Sequence, residues 1–172
     1  FWEWSAHVPM IAKIPGAPKG LRSSVITSLV DLLPTILEIG NNGQPTSFSE
    51  DLSGKSLLKF AYNKGETKNS FAISDYYHIG PCVPTRMIRQ DDLKLIYTHG
   101  HPSLLYDLEN DPHELFNLAD NDNFKDDLSN LLSICFQNWD PEKINDKILQ
   151  SQKRRLLIKS VPGEKPNWDY IA

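Results

Sequence analysis

Thr85-Arg86-Met87-Ile88-Arg89-Gln90-Asp91-Asp92-Leu93-Lys94-Leu95-Ile96-Tyr97 is the stretch whose reading decides the fold. Two short runs rich in β-branched, apolar and aromatic residues flank Gln90-Asp91-Asp92, the pattern of an antiparallel hairpin. Downstream, Leu104 to Leu108 has the composition of a further strand, and upstream so does Phe71 to Tyr77. Strands that follow one another through short turns pair with their sequence neighbours, so a small antiparallel sheet is expected.

Beyond the sheet the period changes. Asp111-Pro112-His113-Glu114 reads as a cap, a first-turn proline and a carboxylate at the third position, the signature of a helix start. Phe124, Leu128, Leu131, Leu132, Cys135 and Trp139 then recur at helical spacing, which predicts a helix with one buried face. Asp140-Pro141 interrupts it. A second helix is expected over 142–160, with Ile144, Ile148, Leu149 and Leu156 inward and Lys153-Arg154-Arg155 solvated. The Pro-rich end, carrying Trp168 and Tyr170, reads as an extended tail.

Ahead of the sheet, Val8 to Ile14 is an apolar run closed by Pro15-Gly16 and predicts a buried strand. Periodicity leaves Ser23 to Val30 open between strand and helix. From Asp31, a capping residue, Pro34 in a first turn and the apolar Ile36, Leu37 and Ile39 predict a helix that Gly40-Asn41-Asn42-Gly43 stops. Residues 41–56 read as a polar loop, Leu57 to Ala61 as a helical turn, and residues 63–69 as a second loop. These elements divide the chain into 1–62, 63–139 and 140–172.

Composition bounds the function. The 172 residues are 40% hydrophobic and 23% charged, with a formal charge of −4. That is the balance of a globular protein, and the acidic excess argues against broad nucleic-acid binding, which needs a basic surface. Phe1 to His7 has neither the basic nor the apolar region of a secretory signal. No run approaches the ~18 apolar residues of a membrane helix. Cys82 and Cys135, far apart and without partner motifs, define no zinc site or disulfide framework, so a reducing, cytoplasmic compartment is favoured. An aromatic opening that runs into an apolar segment is an unusual terminus and reads as the point where a longer chain was cut.

Five stretches taken in order resemble the second half of the sulfatases of the alkaline-phosphatase superfamily: Phe1 to Pro9 (FWEWSAHVP), Ser28 to Gly40 (SLVDLLPTILEIG), Leu52 to Leu58 (LSGKSLL), Met87 to Ile96 (MIRQDDLKLI) and Leu105 to Ala119 (LYDLENDPHELFNLA). Gln152 to Arg155 followed by Trp168-Asp169-Tyr170, and Asp75-Tyr76 leading to Pro84 and Met87, resemble the choline sulfatases within that family. The resemblance implies an α/β fold, of which this chain is the C-terminal part, ending in a small antiparallel sheet with packed helices and an extended tail. It implies a parent enzyme that hydrolyses sulfate esters with a formylglycine nucleophile and a divalent cation, calcium or magnesium. Those groups lie upstream of the segments matched here, so no catalytic residue and no metal ligand is assigned to this chain. A relative acting on phosphonate or phosphate esters, or an autonomous assembly or binding module, is the alternative.

Cys82-Val83-Pro84-Thr85-Arg86 fits Cys-x-Pro-x-Arg, the core pattern for oxidation to formylglycine. Three observations argue for coincidence. The first 81 residues hold no Asp-Asp pair, Met87 onward reads as a strand where the family continues into a helix, and Cys82 already has a place in the C-terminal match. Asp91-Asp92 and the Asp107, Glu109, Asp111 series are expected to serve turns and caps instead of a metal.

The candidate substrate contacts are Asp75, Tyr76 and His78, a carboxylate with aromatic groups at a strand end, the mixture that holds a quaternary ammonium. Where the choline sulfatases carry Glu-Gly, however, this chain has Ile79-Gly80. The resemblance adds Trp168 and Tyr170, in a tail that in that group crosses to a neighbouring subunit, and so implies a homo-oligomer. Glu3 and His7, near the pair Val8-Pro9, are expected to support the sulfate site from behind.

Overall fold

The computed structural model describes residues 1–47, 52–62, 70–77 and 83–161. Its centre is a four-stranded antiparallel meander in the order β1-β2-β3-β4, formed by Phe71–Tyr76, Thr85–Gln90, Leu93–Thr98 and Leu104–Asp107. The predicted hairpin is β2–β3, closed at Asp91-Asp92, with Gln90 opposite Leu93 and Ile88 opposite Leu95. Asp91 takes φ 48°, a left-handed conformation that Asp tolerates better than most residues. This register puts Ile73, Ile88, Leu95 and Leu105 on one face, and Met87, Lys94, Ile96 and Tyr106 on the other.

The two faces have different covers. Ile88, Leu95 and Leu105 are fully buried against Leu131, Cys135 and Trp139, which come from helix α4 (Lys125–Phe136) and the turn after it. Met87, Ile96 and Tyr106 pack against Phe1 and Ala6, so the opening residues form the second layer. They enter it through a one-turn helix, α1 (Glu3–Ala6).

The predicted helix over 31–40 is α2 (Leu32–Gly40), preceded by a turn of 3₁₀ helix at Leu29–Asp31. Asp31 does not cap it through its own first turn. Its carboxylate accepts the N–H of Ser28 at 2.8 Å and that of Lys55 at 2.8 Å, which ties the loop before α3 (Leu58–Ala61) to the helix start. Gly54 lies against the Val30 carbonyl so closely that a Cβ there would collide with backbone, which accounts for glycine in Leu52 to Leu58.

Three expectations fail for identifiable reasons. Val8 to Ile14 is not a strand: the segment has no regular secondary structure and pairs with no strand among the described residues, and Val8, Met10 and Ile11 are exposed. An apolar run identifies burial, not its partner, and the described residues leave most of this one uncovered. Asp111 to Glu114 is not a helix start but a turn, in which the N–H of Glu114 bonds the Asp111 carbonyl and Glu114 takes φ 57°. The helix begins at Lys125, after a 3₁₀ turn in which Asn121 accepts the N–H of Asn123. Finally, the second helix forms as α5 (Pro141–Ser160), with Asp140 as its cap and Pro141 in its first turn where the pair was expected only as an interruption, but Leu149 and Leu156 are exposed. Of its expected inward residues, Ile144 reaches the core.

Asp107 and Asp111 serve turns, as anticipated. The Asp107 carboxylate accepts the side-chain N–H of Asn110 and the amides of Glu109 and Asn110, bonds that hold its carboxyl below the usual aspartate range. Asp111 Oδ2 accepts the N–H of Phe116.

Candidate functional site

Asp75 is the best placed of the sequence-derived candidates, and its charge is already engaged. It lies opposite Arg86 in the β1–β2 register. Arg86 Nε and Nη2 donate to its two carboxylate oxygens at 2.6 and 2.7 Å, the two-point fork that suits guanidinium and carboxylate. The third guanidinium nitrogen, Nη1, donates to the Cys135 carbonyl at 3.0 Å, and the group lies 4.5 Å over the Trp139 ring. Trp139 Nε1 in turn donates to the Tyr77 hydroxyl at 2.8 Å, and that hydroxyl donates to Asp75 at 2.8 Å. Asp75, Arg86, Trp139 and Tyr77 therefore close a ring that welds the end of β1 to the end of α4.

Tyr77 is pushed above the usual phenol range, mainly by burial, which keeps it a hydrogen-bond donor. Arg86, the arginine of the Cys-x-Pro-x-Arg pattern, is thus consumed by this ring.

Tyr76 does not join Asp75. Successive strand residues face opposite ways, and Tyr76 meets the edge of the Phe1 ring at 6.3 Å on the other side of the sheet. Glu3 and His7 are brought together: His7 Nδ1 lies 3.3 Å from Glu3 Oε2. Glu3 also accepts from Lys94 Nζ at 3.0 Å and sits 3.6 Å from Arg89. His78, Cys82, Trp168 and Tyr170 lie outside the described residues.

Four partners were missed from sequence. Trp139 was read as one more apolar position of a helix, and Arg86 as part of a decoy motif. Lys94 and Glu114 carried a clearer signal. Lys94 interrupts Leu93-Leu95-Ile96 in a strand with two covered faces, and a lysine there requires a buried carboxylate. Lys94 is fully buried, with Glu114 Oε1 2.6 Å from its Nζ.

Among the described residues no three His, Cys, Asp or Glu side chains come together so as to hold a metal. Asp75, Glu3 and Glu114 are each matched by a cation of the chain itself, so the side chains present do not fit a divalent cation's ligand set. No described helix is long and apolar enough to cross a membrane.

Cys135 is buried and its thiol is pushed up to about 11 by burial, with Arg86 opposing. It stays protonated at neutral pH, and the thiolate is the reactive form. With 5,5′-dithiobis(2-nitrobenzoate) at about pH 8 the folded protein should show no reaction at Cys135 over the time in which the urea-unfolded chain reacts fully, as peptide mapping would show.

An antiparallel meander covered by α4 on one face and by the opening residues on the other is the architecture of a sulfatase C-terminal domain, within the alkaline-phosphatase superfamily. The chain belongs to its sulfatase family, matching the family described as "N-sulphoglucosamine sulphohydrolase, C-terminal" over residues 1–137. It is 37% identical over 128 residues to arylsulfatase K of Homo sapiens, covering 69% of this chain and 23% of that protein. It is 30% identical over 164 residues to the choline-sulfatase of Rhizobium meliloti (strain 1021), covering 92% of this chain and 31% of that protein. The phosphonate monoester hydrolase SpPMH from Silicibacter pomeroyi shares the fold, with a TM-score of 0.55 at 23% identity over 72% of this chain and 27% of that one. The chain spans between about a quarter and a third of the two curated relatives named.

Proposed function

We propose that this chain is the C-terminal part of a sulfuric-ester hydrolase, closing the substrate cleft and supplying subunit contacts. The formylglycine and the divalent cation belong to the rest of that enzyme. One observation carries this reading: the apolar surface of residues 4–39. Trp4, Val8, Met10, Ile11, Leu33 and Ile36 are exposed, Ile11 completely. Helix α2 is apolar around most of its circumference, which is the pattern of a helix surrounded by protein. A larger α/β domain packed on this surface gives those side chains their cover, and the match to only part of each relative supports that.

The substrate of that enzyme is a small sulfate ester. A choline-like ester is favoured by the resemblance that runs through Asp75, Tyr76, Trp168 and Tyr170, with His78 close by in the sequence. Since Arg86 neutralises Asp75, the attraction for a quaternary ammonium comes from the aromatic rings, Tyr76 here and Trp168 and Tyr170 from a neighbouring subunit of a homo-oligomer.

The test is an assay of the 172-residue chain, produced together with a formylglycine-generating enzyme, on choline sulfate, 4-nitrophenyl sulfate and a phenyl phosphonate monoester. No turnover is expected above the background of a heat-denatured sample, with Cys82 unmodified by mass spectrometry. Turnover of any of the three with Cys82 oxidised overturns the proposal.

A further inference from the structure

Four described non-glycine residues have positive φ, and three of them, Asn42, Asp91 and Asn138, are of the types that tolerate it. The fourth is Glu114, at φ 57°. A turn that needed only this backbone would be better served by glycine or asparagine. Something about the glutamate side chain must offset the strain.

That side chain is almost wholly buried, at 1% exposure, and bridges two distant parts of the chain. Glu114 Oε1 lies 2.6 Å from Lys94 Nζ in β3. Its other oxygen, Oε2, accepts the backbone N–H of Glu3 at 2.7 Å across a separation of 111 residues. Lys94 Nζ also donates to Glu3 Oε1 at 3.0 Å, so the three groups form a closed triangle. One edge holds the backbone of α1, another its side chain, and the third the middle of the sheet. Arg89 and the exposed His7 stand outside it, both on Glu3 Oε2.

We propose that Glu114, Lys94 and Glu3 are a latch that locks α1 to the sheet, so that residues 1–7 move as one body with β3 and with the turn at 111–116. Phe1 and Trp2 lie on Tyr76 and Tyr106, and Phe1 and Ala6 also pack on Met87 and Ile96, apolar contacts that do not by themselves fix a helix against sliding. The polar triangle supplies direction where the apolar face supplies only adhesion. This rests on the preceding functional reading in one respect: in the whole enzyme the latch would fix the path by which the chain reaches Phe1.

Hydrogen exchange on the 172-residue chain tests it, and does so whether or not that functional reading holds. Glu114→Gly relieves the backbone strain and removes the carboxylate. A latch predicts that the Glu3 amide then exchanges at least about tenfold faster relative to the amides of Ile88 and Leu95. A residue serving only the turn predicts the opposite, an unchanged or slower Glu3 amide, and that result overturns the proposal. If Glu114→Gly fails to fold, Glu114→Gln decides, since it keeps an acceptor for the Glu3 N–H but loses the charge facing Lys94. Selective acceleration at Glu3 of about threefold or more supports the latch. Equal change at Glu3, Ile88 and Leu95, or none, sinks it.

Discussion

Replacing Arg86 with methionine lowers the stability of the fold by about 3 kcal/mol, the lower end of what breaking a buried ion pair costs. The lower end applies because Asp75 keeps 29% of its side-chain exposure and can draw on water once its partner is gone. Arg86 itself is nearly enclosed, and its loss has three consequences. Asp75 is left with the Tyr77 hydroxyl as its side-chain partner, the Cys135 carbonyl loses its side-chain donor, and Trp139 loses the cation over its ring. Removing Asp75 as well, in Arg86→Met/Asp75→Leu, should recover part of that loss, because no uncompensated charge then remains. Urea unfolding followed by far-ultraviolet circular dichroism measures all three proteins. A single-variant loss below about 1 kcal/mol would mean that the ring at the end of β1 is an exposed surface pair and no more.

This pair also marks how far the sequence could be read. The sheet was legible because its signal is local: short runs of apolar, β-branched and aromatic residues at Thr85 to Arg89 and Leu93 to Tyr97, with a turn between them, need no information from elsewhere. The existence of helices α4 and α5 was legible for the same reason. What was not legible depends on partners far away in the chain. Asp75 reads as a free carboxylate until the register places Arg86 opposite it. Glu114 reads as part of a helix cap until its backbone turns left-handed and aims its side chain at Lys94. Val8 to Ile14 reads as a strand because apolar runs are buried, whereas here it pairs with no strand among the described residues. A local pattern specifies which residues seek burial or a counter-charge. It does not specify who supplies them.

The same distinction separates two leucines that look alike in sequence. Leu105→Ala should cost about 2–5 kcal/mol, whereas Leu156→Ala should change stability by less than about 0.5 kcal/mol. Leu105 is fully buried in β4, between Leu95 of the neighbouring strand and the α4 layer. Its backbone is also fixed, the N–H donating to Asn117 Oδ1 at 2.9 Å and the carbonyl accepting from Leu118 at 2.8 Å. The strand cannot collapse to fill the cavity, which places the cost in the upper part of that range. Leu156 sits on α5 with 65% of its surface exposed, so truncation removes little packing. Alanine there even has a slightly better helix propensity. Both values come from the same urea titration. A Leu156→Ala loss approaching that of Leu105→Ala would mean that α5 folds back on the sheet in solution, and that the inward face expected from its sequence is real.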